Sequence, residues 1–274
     1  GGGGLALGYL SLARRLGEDQ PVYAFQAHGL EQRGFPDWTV ERSARRHLRT
    51  IRAIQPHGPY LLVGHSLGGL IAMEAAHQLT AAGESVELLV MLDTYLPLSV
   101  RAEQPNGSGQ QAAGQWPAPV WSLFQGNETT RNYAAKLAQF RRLLPERIVS
   151  VETLGKLAKM PLIGLVRYPG HTQFNAFFTH GRLLERFYRP RPWAGRTLVY
   201  RAADNPDTIE DWDRYLTGSR EVFDIPCEHF SVLREPHVAQ IAVRIEAEID
   251  RILEKTGWRG RPGSGGAASR AQAV

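Results

Sequence analysis

A single cysteine, Cys227, stands among 274 residues, so an internal disulfide is excluded. Such sparing use of cysteine reads as a chain kept in a reducing compartment, the cytoplasm. No uninterrupted apolar run approaches the roughly 20 residues needed to cross a bilayer, so no spanning helix and no membrane are expected. The chain does not start with Met, and its start lacks the charged and apolar regions of a signal peptide. Gly1-Gly2-Gly3-Gly4 is a loop composition, expected of a chain that begins inside a domain or was cut from a longer one. Basic residues are not interleaved with aromatics, and no zinc-type spacing occurs, so neither nucleic acid nor a metal is expected. The net charge of +5 is modest. Part of it lies in Arg259, Arg261 and Arg270, set among Gly, Ser and Ala at 257–274, which reads as a disordered tail.

What is present has the makeup of an ordinary globular protein, 43% apolar and 22% charged. A helix is expected over 7–16, with Leu10, Leu12 and Ala13 facing inward, followed by a strand at 22–25. An amphipathic helix over 39–54 takes its cap from Asp37 or Thr39 and stops before Pro56 and Gly58. A strand then leads to Gly64, a helix ends at Ala82-Gly83, and the apolar run 86–93 reads as a buried strand. From 97 to 190 no strand pattern appears; helical stretches near 129–144, 151–159 and 174–188 are divided by prolines. Strand patterns resume at 196–204 and 221–225, and a final helix covers 235–254. This alternation predicts an α/β fold over 1–256, a mostly parallel sheet covered on both faces, with a helical lid inserted at 97–190.

The run Tyr60-Leu61-Leu62-Val63-Gly64-His65-Ser66-Leu67-Gly68-Gly69 carries the chemistry. An apolar strand ends in Gly-x-Ser-x-Gly and passes straight into a helix, the sequence of a nucleophile elbow. The sharp turn lifts the Ser66 hydroxyl clear of the sheet, and Gly64 and Gly68 remove side chains that would collide with the neighbouring strand and helix. The backbone N–H of Leu67, at the helix start, is then placed to hold an oxyanion.

A serine hydroxyl needs a base, and the base needs an acid, following in the order Ser, acid, His. Among nine histidines, His65 adjoins the serine, where neighbouring side chains point apart. His28, His47 and His57 precede the serine, His77 lies on the elbow helix, and His171 and His180 fall in the insertion. His229, in the loop after the last strand, is the expected base ahead of His237 at the start of the last helix. Two aspartates end strands at the correct edge of the sheet, Asp93 and Asp204, and pattern alone does not separate them.

The runs 21–30 and 54–69, then Leu92-Asp93-Thr94-Tyr95 and Glu228-His229-Phe230, resemble the type I thioesterase domains that terminate nonribosomal peptide synthetases and polyketide synthases. The resemblance implies the α/β-hydrolase fold and selects Asp93 as the acid. It also implies a first oxyanion donor near Gly2, from a loop after the family's first strand, with Leu67 as the second. That first strand is not within these residues.

The function so implied is release of an acyl or peptidyl chain from the phosphopantetheine thioester of an upstream carrier protein, through a Ser66 acyl-enzyme. Release would be by hydrolysis or macrocyclisation, with no cofactor. A stand-alone editing (type II) thioesterase, a generic carboxylesterase and a non-catalytic carrier-docking module are the alternatives. In the insertion, 12 basic residues face 5 acidic ones between 99 and 190. Leu137, Phe140, Leu143, Phe177, Leu184 and Phe187 recur there at helical spacing and could roof an acyl pocket. A basic face including Arg141, Arg142 and Arg147 could steer an acidic carrier.

Overall fold

The computed structural model describes residues 6–17, 20–101, 163–166, 168 and 171–257. The expectations for Gly2, the helices at 129–144 and 151–159, Leu137, Phe140, Leu143, the Arg141, Arg142 and Arg147 face and the tail beyond 257 lie outside these residues.

Four parallel strands form one sheet in sequence order: β1 (Tyr60–His65), β2 (Val86–Leu92), β3 (Thr197–Ala202) and β4 (Arg220–Ile225). Helices precede, connect and follow these strands. These are α1 (Leu10–Arg15), α2 (Val40–Ile54), α3 (Leu67–Ala81), the short α4 (Leu98–Arg101), α5 (His171–Phe187) and α6 (His237–Thr256). The near-continuous apolar run of β2 is explained by burial on both faces. Alternation of side chains sends Leu89 and Met91 to the face covered by Leu67, Leu70 and Met73 of α3. It sends Leu88, Val90 and Leu92 to the other, covered by Leu12 of α1 and by Ile241 and Ile245 of α6.

Helix ends follow local chemistry. Thr39, extended at φ −142°, accepts the N–H of Arg42 at 3.1 Å and caps α2. Asp37 does not cap; it is buried and paired with Arg46 at 2.8 Å and Arg42 at 3.1 Å. Gly83, at φ +80°, closes α3 as the sequence signalled.

Two expectations are corrected. Leu10 is exposed, while Leu12 and Leu16, one turn apart, face inward behind the 3₁₀ turn Ala6–Tyr9. Residues 22–25 carry no regular secondary structure and join no ladder among the described residues. A cavity of about 570 Å³ lies along them and is also lined by Leu61 and Val63 of β1, so the two segments do not reach the ~4.8 Å spacing of paired strands. A 3₁₀ turn, Glu210–Trp212, lies between β3 and β4.

Candidate active site

β1 delivers Ser66 to the carboxyl edge of the sheet, and α3 begins at the next residue. Ser66 sits at φ 57°, ψ −129°, a conformation that costs an L-residue on the order of 1–3 kcal/mol and is held by its surroundings. Its N–H is fixed by the Leu92 carbonyl at 2.9 Å, and its own carbonyl accepts from Gly69. A serine at a helix N-terminus ordinarily spends its hydroxyl on capping. Here the side chain makes no cap bond, so the hydroxyl is left for other work. A methyl group at Gly64 would collide with the carbonyl of Gly68 and the nitrogen of Gly69, and one at Gly69 with the side chain of Thr94. Those glycines let strand, turn and helix pack in one corner.

β2 ends in Asp93, also at positive φ (45°) and fully buried. Its Oδ2 lies 2.6 Å from Nδ1 of His229. Its Oδ1 accepts the Ala202 N–H at 2.9 Å and the Asn205 side-chain amide at 2.6 Å. Burial alone would push the carboxyl up; the bonds from His229, Ala202 and Asn205 outweigh it and hold Asp93 below its ordinary range. An ionised acceptor at Nδ1 keeps the proton on that nitrogen, and Nε2 of His229 is then the free base.

His229 opens the 3₁₀ turn His229–Ser231 after β4 and is buried. Both of its backbone groups are held by side chains. Its N–H donates to Asp204 at 2.9 Å, and its carbonyl lies 3.0 Å from Nε2 of His65. Its ring stacks on His65 (centroids 4.7 Å apart) and contacts Tyr95 at 4.8 Å and Phe230 at 4.9 Å. The structure therefore brings Asp93 and His229 together beside the residue preceding Ser66. Asp204 bonds the backbone of His229, not its ring, and His237 begins α6.

Leu67, the first residue of α3, is buried and lines the cavity with Gly68, under Phe177 and Leu184 of α5. Helix-start N–H groups lack intrahelical acceptors, so that of Leu67 is available for an oxyanion. Two roles escaped the sequence reading. The signal for Asn205 is a polar residue directly after Asp204, at the active edge of the sheet. The side chain of His65 reaches the base loop, a target that its place beside Ser66 does not reveal. Among the described residues no group of three or more His, Cys, Asp or Glu could hold a metal, and no helix is long and apolar enough to cross a membrane.

A parallel sheet with a strained serine at a strand–helix turn, and a buried Asp–His pair at its carboxyl edge, is the arrangement of the α/β-hydrolase fold. The thioesterase domain family matches residues 1–249, and the chain belongs to that family. It is 42% identical over 264 residues to malpibaldin synthetase of Mortierella alpina, covering 90% of this chain and 4% of that protein. It is 29% identical over 259 residues to a dimodular nonribosomal peptide synthase of Bacillus subtilis (strain 168), covering 91% and 10%. The chain thus spans a small share of the length of these relatives. In fold it is similar to the NocB thioesterase domain in covalent complex with a fluorophosphonate nocardicin G analogue. That match has a TM-score of 0.56 at 21% identity and covers 90% of this chain and 91% of that one. RedJ thioesterase from the prodiginine pathway of Streptomyces coelicolor matches with a TM-score of 0.55 at 20% identity, covering 90% and 86%.

Proposed function

We propose that the chain releases an acyl or peptidyl group from the phosphopantetheine thioester of a carrier protein at the end of a nonribosomal peptide or polyketide assembly line. The observation that carries this reading is the 2.6 Å bond between Asp93 and Nδ1 of His229, at the corner where Ser66 leaves its hydroxyl uncapped. Nε2 of His229 takes the Ser66 proton as Oγ attacks the thioester carbonyl. The C–S bond breaks, the proton passes to the departing thiol, and the acyl group stays on Ser66 as an ester. The N–H of Leu67 supports the oxyanion in both halves of the reaction. Water, or a hydroxyl or amine within the chain, then gives its proton to His229 and attacks the ester carbonyl; the C–Oγ bond breaks and His229 returns that proton to Ser66. The product leaves as a free acid or a ring, and no cofactor takes part. The relatives named above as synthetases support a carrier-bound substrate.

The test compares three substrates with one acyl group: the carrier-bound thioester, a small soluble thioester and the p-nitrophenyl oxoester. The proposal expects kcat/KM to be highest for the carrier-bound form. Equal rates on all three, with no response to the carrier, would mark a general carboxylesterase.

A further inference from the structure

Ser66 and the loop that bears His229 reach the active corner from distant parts of the chain, and among the described residues no strand ladder joins β1 directly to β4. What joins them is His65. Its backbone is fixed inside the elbow, where its N–H donates to the Tyr9 hydroxyl at 2.8 Å. Its ring crosses to the other loop, where Nε2 lies 3.0 Å from the His229 carbonyl. A carbonyl can only accept, so Nε2 carries the proton. The two imidazoles lie face to face, 29° from parallel. Asp204 holds the N–H end of the same residue. With Asp93 on the ring, His229 is held by three side chains, and of these three His65 is the one adjacent to Ser66 in the chain.

We propose that His65 is a positioning residue that fixes the spacing between Ser66 and the base. The proposal rests on the acyl-enzyme reading above. Burial, aided by the adjacent His229, pushes His65 down to about 3, so its ring stays neutral through the working range. It therefore neither competes for the serine proton nor repels His229 when that ring becomes charged. The geometry sets the requirement: an N–H donor at the distance of Nε2 from the main chain. Glutamine meets it, since its amide nitrogen falls near Nε2. Asparagine, one methylene shorter, does not.

His65→Gln and His65→Asn are compared with the wild type. The readouts are the rate at which a fluorophosphonate labels Ser66, and kcat and KM on a small acyl thioester. The loss of one buried hydrogen bond is expected to lower labelling and kcat of His65→Asn by about tenfold, with KM within about twofold. His65→Gln is expected within about threefold of the wild type. Should His65→Asn not fold, His65→Phe, which keeps the ring and removes the donor, replaces it against His65→Gln. Equal rates for Gln and the donor-deficient variant would overturn the proposal, as would a rise in KM with kcat unchanged. A wild type that is not labelled at all would instead remove the acyl-enzyme reading beneath it, so the two failures are distinguishable.

Discussion

Oδ2 of Asp93 and Nδ1 of His229 stand 2.6 Å apart although 136 residues separate them in the chain. β2 and β3 make this pairing by register, since Leu92 opposes Tyr200 and the N–H of Asp93 bonds the Tyr200 carbonyl at 2.7 Å. The acid is thereby held at the edge where the loop after β4 passes.

Asp93→Asn is expected to lower kcat by about 10⁴-fold, because an amide at that place favours the wrong tautomer of His229. Asp204→Asn retains an oxygen that accepts the His229 N–H and should cost far less, while Asp204→Ala should fall between the two. Steady-state kinetics on a soluble acyl thioester decide this; a ranking with Asp204→Asn below Asp93→Asn would move the acid to β3.

Stability should fall as pH drops below neutral. Burial pushes His65 down to about 3 and His180 to about 4, against about 6.5 in an unfolded chain. Between pH 6.5 and 4 the unfolded state binds protons that the folded state refuses, and each such group removes about 1.4 kcal/mol of stability per pH unit. Asp93, whose pKa is lowered, adds its own loss only as the pH falls below the ordinary carboxylate range. Urea unfolding at pH 7, 6 and 5 should show this slope, and His180→Phe should reduce it by about 1.4 kcal/mol per unit. A flat profile over that range would contradict the burial of both rings.

Two glycines should respond very differently to alanine. Gly83 is at φ +80° with open space around it, so Gly83→Ala should cost about 1–2 kcal/mol of left-handed strain and leave activity alone. At Gly64 the methyl meets backbone that cannot yield, and a loss above about 4 kcal/mol is expected. Thermal unfolding of both variants checks the order.

Glu74, buried on α3, accepts from the Tyr188 hydroxyl at 2.9 Å and from Gln78 at 3.0 Å, with Arg191 at 3.4 Å. It ties the elbow helix to the chain that leaves α5. Tyr188→Phe should cost about 1 kcal/mol, and Glu74→Ala more, about 1–3 kcal/mol beyond the packing loss, by stranding a buried hydroxyl. Chemical denaturation measures both; a neutral Glu74→Ala would show that the network contributes nothing.

Much of this was legible from local pattern. Gly64-His65-Ser66-Leu67-Gly68 fixes a turn whose parts are adjacent in sequence, and the apolar run of β2 announces burial on two faces. What local pattern could not supply was pairing across the sheet. Asp93 and Asp204 both end strands at the same edge, and only the register decides which meets the ring of His229 and which its backbone. The same limit explains residues 22–25, whose composition suits a strand but whose ladder depends on a partner that composition does not reveal. His65 shows the same limit: its direction away from Ser66 follows from local geometry, its target across the sheet does not.

A covalent acyl group on Ser66 is the intermediate on which the proposed reaction depends, and intact-protein mass spectrometry after rapid mixing with an acyl thioester detects it. A transient gain of one acyl mass is expected, mapped to the peptide containing Ser66, with neither adduct nor turnover in a folded Ser66→Ala variant. An adduct mapped to another residue, or undiminished turnover by Ser66→Ala, would contradict it.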